Sequence, residues 1–345
     1  MFLPDDMAKI IQIQAATPIP GLRFRGFAGP EDYHNIREIA GRSHAADGIE
    51  DSETVEDIAR NYAHLINCDL ARDFIMAEVD GHPVAYSRLW FRETEDMGYV
   101  YFFFLFLLPE WRGKGIGESM VRWCEARIRE IAATHPLDIE KSIHCWVSEN
   151  ERYLLDILES EGYRKIRYFF IMVRPDLENI PDCPLPDGIE IRPVKPEHHR
   201  MVWDADVEAC ADMWMNVRPE EAAYRSWLAS PLFQPELWQV AWDGDRVAGA
   251  VQNWIDHAEN EKYHRKWGAT ENIHVGREWR GRGLAQALIA RSFKVLKENG
   301  MEQAVLAVDA ENPTGALHLY RKMGFREYRA SYTYSKDIFP QERRN

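Results

Sequence analysis

Apolar positions along the chain alternate between period-two runs and helical stripes, and the whole series occurs twice. In the first pass, Gly21-Leu22-Arg23-Phe24-Arg25 predicts a strand. Phe74 to Ser87 predicts a hairpin turning at Asp80-Gly81, a dipeptide that accepts positive φ. Tyr99 to Leu108 is a continuous apolar run, far shorter than the ~20 residues of a membrane helix and suited to a buried strand. Trp111 to Gly117 then precedes a helical pattern, and Asn150 with Gly162-Tyr163 brackets a short helix. The second pass returns four of these features. Gly188 to Arg192 follows 167 residues on, and Leu237 to Ala250 surrounds Asp243-Gly244. Trp279 to Ala285 follows at 168, and Asn312 with Gly324-Phe325 at 162. Four features recurring in one order indicate a duplication.

Between the copies, Arg174-Pro175-Asp176 leads through Pro181, Pro184 and Pro186 to Asp187-Gly188. Closely spaced prolines deny both helix and central strand, so this stretch reads as a linker. The expected division is a domain over 1–178, a linker over 179–187 and a domain over 188–345. Each copy reads as strand, helical stretch, hairpin, long central strand, glycine loop, helix, strand, short helix and final strand. That series is an α/β arrangement on a mixed sheet.

Composition narrows the function classes. A length of 345 residues fits two domains of ~100–200 residues each. With 46% hydrophobic and 28% charged residues, both halves should fold. A net charge of −14 argues against nonspecific nucleic-acid binding, which needs a basic footprint. The acidity suits a cationic amine substrate but is accounted for by solubility alone. Cys68, Cys124, Cys145, Cys183 and Cys210 form no C-x-x-C pair, so neither a metal site nor a disulfide framework is signalled. Met1 to Lys9 lacks the basic and apolar segments of a signal peptide. Reduced thiols and a cytoplasmic location are the expectation.

The chemistry-bearing motif is Arg-x-x-Gly-x-Gly/Ala on a strand-to-helix turn. It occurs as Arg112-Gly113-Lys114-Gly115-Ile116-Gly117 and as Arg280-Gly281-Arg282-Gly283-Leu284-Ala285. Glycines let consecutive N–H groups converge on one anion, and the following helix N-terminus adds positive potential. A pyrophosphate is the expected ligand, with Lys114, Arg282 and the leading arginines adding charge. The Walker pattern is absent, as is a G-x-G-x-x-G with a downstream acidic residue.

These loops resemble the signature of the GNAT acetyltransferase superfamily, and the likeness covers nearly the whole chain. The resemblance implies two tandem GNAT folds, each a mixed, mostly antiparallel twisted sheet flanked by helices. It also implies acetyl-CoA as cofactor, with its pyrophosphate on the loops and its pantetheine arm along the splayed end of the fourth strand. The arrangement is similar to tandem members such as mycothiol synthase, with an active C-terminal and a non-catalytic N-terminal copy.

The stretch Asn312 to Phe325 is the most informative. Asn312 suits an N-cap, Pro313 the first helical position and Gly324 a left-handed stop. Helical spacing places Ala316, Leu319, Tyr320 and Met323 on one face. An inward tyrosine is commonly a core residue tied to a backbone group. The stretch also matches the family pattern Asn-x-x-x-Ala-x-x-x-Tyr-x-x-x-Gly-Phe, and that resemblance implies Tyr320 as the acid that protonates the departing thiolate, with Asn312 touching the pantetheine arm. The first copy carries Leu158 where the second has Tyr320.

Nine residues before the loop arginine lies Glu271 in the second copy and Phe103 in the first. By resemblance Glu271 is a base acting through water, since an ammonium must lose its proton before attack. His274 competes for that role, and a strand bulge would decide which of the two faces the site. The first copy offers only Phe102, Phe103, Phe104 and Phe106. It is left to hold coenzyme as a structural or regulatory ligand, or to buttress the active half.

The expected reaction is direct acetyl transfer to a primary amine in the C-terminal domain, with the oxyanion held by a backbone N–H near Val275. Cys210 has no nucleophile motif. Trp203 to Trp227 and Asn253 to Trp267 supply candidate pocket residues in Trp203, Trp214, Trp227, Trp254, Asp256, His257, Tyr263 and Trp267. Two rival readings remain from the sequence: a non-catalytic acyl-CoA sensor, and a transferase of another acyl group.

Overall fold

A computed structural model describes residues 9–13, 18–211, 213–215, 221–312 and 314–338. The chain divides into two compact units, residues 1–166 with 331–345, and residues 167–330.

Unit 1 runs β1 (Ile10–Ile11), β2 (Leu22–Arg25), α1 (Asp32–Ala46), α2 (Val55–Ala63), β3 (Phe74–Val79), β4 (His82–Thr94), β5 (Gly98–Leu107), α3 (Ile116–Ala132), β6 (Lys141–Ser148) and α4 (Arg152–Ser160). Next come β7 (Arg164–Arg174), β8 (Glu190–Ile191), α5 (His199–Ala209), α6 (Glu221–Leu228), β9 (Gln239–Asp243), β10 (Arg246–Trp254), α7 (His257–Lys262), β11 (Trp267–Val275), α8 (Leu284–Glu298), β12 (Gln303–Asp309), α9 (Ala316–Lys322) and β13 (Arg326–Asp337).

In unit 1 the strands β1 to β6 pair in chain order, antiparallel except for the parallel β5/β6 contact. The sheet is completed by Ser331–Asp337 of β13, antiparallel to β6. In unit 2 the order is β7, β12, β11, β10, β9, β8, with β11/β12 the parallel pair. Each sheet is thus mixed, mostly antiparallel and flanked by helices. The final strand of each repeat serves the sheet of the other.

That exchange departs from the expected division. The unit boundary falls within β7, not at 178, and residues 331–345 belong with unit 1 rather than with 188–345. The proline-rich stretch 179–187 is not a free linker either. Ile180, Cys183 and Leu185 pack on the core of unit 2, and Arg291 Nη1 donates to Cys183 O at 3.1 Å. Proline forbids regular structure there without forbidding burial.

The hairpins form where expected. Asp80 and Gly81 take φ of 51° and 81°, and Gly244 takes 58°. In the second copy Asp243 ends β9, so Gly244 and Asp245 make the turn.

Candidate active site

In unit 2 the parallel ladder between β11 and β12 lasts only from Trp267↔Gln303 to Ala269↔Val305. Beyond it the strands part, and the Ala307 N–H donates 2.7 Å to Glu271 Oε1 instead of to a strand carbonyl. The opening continues into a cleft of about 490 Å³. Glu271, His274, Val275, Asn312 and Tyr320 line it together with Arg280, Gly281, Gly283, Leu284 and Ala285. Arg282 sits on the same loop with an exposed side chain.

Gly281 and Gly283 hold φ of 76° and 83°, a region closed to most side chains. The first α-helical bond of α8 is Ala287 N–H to Gly283 O, which leaves the preceding amides without helical acceptors. That is a cradle for an anion. The leading arginine lines the cleft and also holds the loop in place. Arg280 Nε donates to Val275 O at 3.1 Å and Nη2 to Ala209 O at 3.0 Å, so its side chain braces the loop against β11 and α5.

β11 carries the bulge that decides the facing of its residues. Gly249↔Val275 and Ala250↔His274 keep one register, and Gln252↔Glu271 keeps another. Asn272, at φ 46°, absorbs the extra residue, and its Nδ2 donates to Gln252 Oε1 at 3.1 Å. Glu271 and His274 thereby both reach the cleft. Gly276 N–H donates to Ala248 O, so in an alternating antiparallel ladder Val275 turns its own N–H away from β10.

Burial pushes the Glu271 carboxyl up to about 7, against the opposing pull of the Ala307 N–H. Burial first, and then the Glu271 and Cys210 charges, hold the Tyr320 phenol well above its usual range. Tyr320 is 7% exposed, and its hydroxyl bonds to no other described residue. The backbone tie that an ordinary core tyrosine makes is not formed. His274 Nδ1 lies 3.0 Å from Asp206 Oδ1 of α5, while Nε2 is buried without a partner.

α9 begins later than expected. Asn312 Oδ1 accepts from Thr314 N and Oγ1, closing a turn before the helix, and Gly315 at φ 74° is the N-cap. Pro313 lies outside the described residues. Gly324 at φ 91° ends the helix, with Phe325 N–H donating to Tyr320 O.

The predicted aromatic residues do not line this cleft; Trp203, Trp214, Trp227, Trp254, Asp256, Tyr263 and Trp267 are half-buried and His257 is exposed. Trp227 meets Trp203 and Trp238 at tilted angles and Phe233 edge to face, and its Nε1 donates to Gln252. Trp267 lies under Arg265, and Asp256 caps α7. The Trp203–Trp227 segment, of which Asp212 and 216–220 lie outside the described residues, instead gives the cleft Asp206, Cys210 and Met213. Sequence reasoning missed Asp206, because its pairing with His274 is tertiary. Burial and Asp206 push the Cys210 thiol up to about 12, which removes a thiolate nucleophile.

In unit 1 the equivalent loop keeps its shape, with Gly113 and Gly115 at φ 71° and 84°. Its groove is filled from within. Tyr153 Oη donates to Leu105 O at 3.2 Å, on the strand edge where a pantetheine arm would bond. Its ring lies 3.9 Å from the Arg112 guanidinium, which is itself bidentate to Asp47 at 2.8 Å. Ile157 seals Gly117, where a Cβ would fall 2.6 Å from Ile157 Cδ1, and Ile116 is fully buried. Lys114 lies over the Trp111 ring at 4.4 Å. Leu158, in the place of Tyr320, and Phe103, in the place of Glu271, are core residues.

The acetyltransferase (GNAT) family model matches residues 34–153 and again 201–325, one match in each repeat. The chain belongs to the GNAT acetyltransferase family. Among curated relatives, the mycothiol acetyltransferase of Geodermatophilus obscurus is 25% identical over 264 residues, covering 74% of this chain and 79% of that protein. That of Salinispora arenicola is 28% identical over 232 residues, covering 66% and 70%. Among solved structures, a GCN5-related N-acetyltransferase from Sphaerobacter thermophilus superposes with a TM-score of 0.71 at 26% identity, covering 94% and 98% of the two chains. A tandem GNAT protein from the clavulanic acid biosynthesis pathway shares the fold, with a TM-score of 0.62 at 16% identity and coverage of 93% and 100%. The chain is therefore an acetyltransferase of the tandem GNAT type, and acetyl-CoA is the donor typical of that family. Among the described residues no helix is long and apolar enough to cross a membrane.

Proposed function

We propose that unit 2 transfers acetyl from acetyl-CoA to a primary amine of a small molecule by direct attack, and that unit 1 binds no coenzyme. The observation that carries this reading is the shared cleft. A carboxyl poised near 7 and a protonated tyrosine flank the parted strands, at the foot of a glycine cradle.

The Gly281–Ala285 loop takes the pyrophosphate, and the edge of β11 with Asn312 takes the pantetheine arm. Glu271 accepts the ammonium proton through water, at a pKa matched to neutral pH. The freed amine attacks the thioester carbonyl, and the Val275 N–H receives the oxyanion. Collapse breaks the carbon–sulfur bond, Tyr320 gives its proton to the departing thiolate, and the second proton that leaves the amide nitrogen passes to the tyrosinate and restores it. His274 is the second candidate acceptor, favoured by its orphan Nε2 and its alignment by Asp206.

A small-molecule acceptor follows from the relatives, and mycothiol-type amines are the first panel to assay. Tyr320→Phe tests the scheme. Turnover should fall ~10²-fold or more with the acetyl-CoA Kd unchanged. Unaltered turnover would remove Tyr320 from the reaction.

A further inference from the structure

Unit 1 contains a buried cation that forms no ion pair with any described residue. Arg88, in the middle of β4, is 9% exposed, and Nε and Nη1 are sealed from solvent without an acceptor. Other buried or half-buried arginines of this unit are paired: Arg25 with Asp32 and Glu78, Arg112 with Asp47, Arg127 with Asp73. Arg88 has rings instead. Its guanidinium carbon lies 4.6 Å from the centre of the Tyr62 ring, 5.3 Å from Phe104 and 5.7 Å from Trp90. Tyr62, 8% exposed, brings a second sealed donor, a hydroxyl without a partner.

A guanidinium does not shed its proton to escape burial, and ring faces replace only part of its lost hydration. An orphan guanidinium beside an orphan phenol is the complement of a carboxylate, which has several lone pairs and a matching charge. Asp73, next to Phe74 where β3 pairs with Arg88, is already committed, since it accepts from Arg127 Nε and from Asp69 N–H.

The surroundings specify the rest of the ligand. Arg88 pairs with Phe104 across β4 and β5, so both face the same side of the sheet. Trp90, Phe104 and Phe106 are each half-buried, with Trp90–Phe104 centres 6.0 Å apart and Phe104–Phe106 centres 5.5 Å apart. Phe104 and Phe106 stand where unit 2 has Asn272 and His274. The segment that meets the reacting centre in unit 2 is, in unit 1, a partly open apolar wall above a buried positive charge.

We infer that unit 1 is a binding site for a small carboxylate with a flat apolar body. The carboxylate takes the N–H groups of Arg88 and the Tyr62 hydroxyl, and the body rests on Trp90, Phe104 and Phe106.

The test uses the full chain, with benzoate as probe, benzamide as its uncharged counterpart and phosphate as an inorganic anion. Benzoate should raise the melting temperature with dose and bind, by calorimetry, at least about tenfold more tightly than benzamide. Arg88→Met keeps an unbranched apolar side chain and deletes the charge, so it should abolish that preference and raise the melting temperature of the ligand-free protein. Tyr62→Phe, which removes only a hydroxyl, should weaken benzoate several-fold without lowering the ligand-free melting temperature. A ligand-free Arg88→Met protein that melts lower would show the arginine to be a packing element and overturn the proposal. So would benzamide matching benzoate, phosphate stabilising as well as benzoate, or benzoate binding unchanged in both variants.

Discussion

β5 in unit 1 and β11 in unit 2 hold the same place in their sheets and differ in one residue of register. β5 runs against β4 without interruption from Ala85↔Leu107 to Thr94↔Gly98, whereas β11 slips by one against β10 at Asn272. A regular strand sends alternate side chains to opposite faces, which in β5 are all apolar, and the sheet closes on them. The bulge in β11 breaks that alternation and brings Glu271 and His274 to one cleft. The difference teaches that the glycine loop does not by itself make an active site. Both loops have the cradle conformation, but only the one beside a bulged strand and a short, sparsely buried α9 faces open space. In unit 1, α4 fills that space with Tyr153 and Ile157.

The largest effect expected from this contrast comes from the loops. Gly283→Val places a β-branched residue at φ 83° and should weaken acetyl-CoA binding by more than ~100-fold, measured by calorimetry. Gly115→Val sets the same strain at φ 84° in unit 1 and should lower the melting temperature while leaving coenzyme affinity and turnover alone. Loss of half the binding sites in Gly115→Val would show that unit 1 is also loaded.

Next in size is Glu271→Gln. Turnover should fall ~10²-fold, and the rise of activity with pH, centred near 7, should disappear. Stability gives an independent reading. The folded-state pKa is raised from 4.5 to about 7, so the folded protein binds the extra proton in that window. Wild-type stability therefore declines as pH rises from the lower value through the upper one, and the neutral Gln does not share the decline. Glu271→Gln should be the more stable protein near pH 8, by as much as ~3 kcal/mol, and should match wild type near pH 4. Equal pH dependence in the two proteins would remove the raised carboxyl.

The smallest effect belongs to Asp206→Asn, which leaves His274 in place but loosens its orientation. A fall in kcat of roughly tenfold, with acetyl-CoA Kd unchanged, is the expectation. If the fall matches that of Glu271→Gln and the pH limb moves, His274 is the acceptor.

The parts of this site legible in the sequence are those written in contiguous residues. The duplication, the two Gly-x-Gly turns and the Tyr320 face of α9 each lie within a few turns of chain, where spacing fixes geometry. The start of α9 was misplaced because Asn312 caps a turn rather than the helix. Asp206 was invisible because nothing within α5 distinguishes it from its acidic neighbours until α5 lies on β11. Tyr153 was equally hidden. An aromatic on a short helix reads as core, which it is, and only the fold shows that the core it fills is the groove a coenzyme would need.

The exchange of final strands has a consequence for biosynthesis. Residues 167–330 are contiguous, so unit 2 has all its strands once that span has left the ribosome. Unit 1 emerges first but cannot close its sheet until Ser331–Asp337 has been made and laid against β6. The usual order, in which the leading domain finishes first, is therefore reversed here. The earlier half waits on the later one, and a stop codon placed after unit 2 would leave both made and one incomplete.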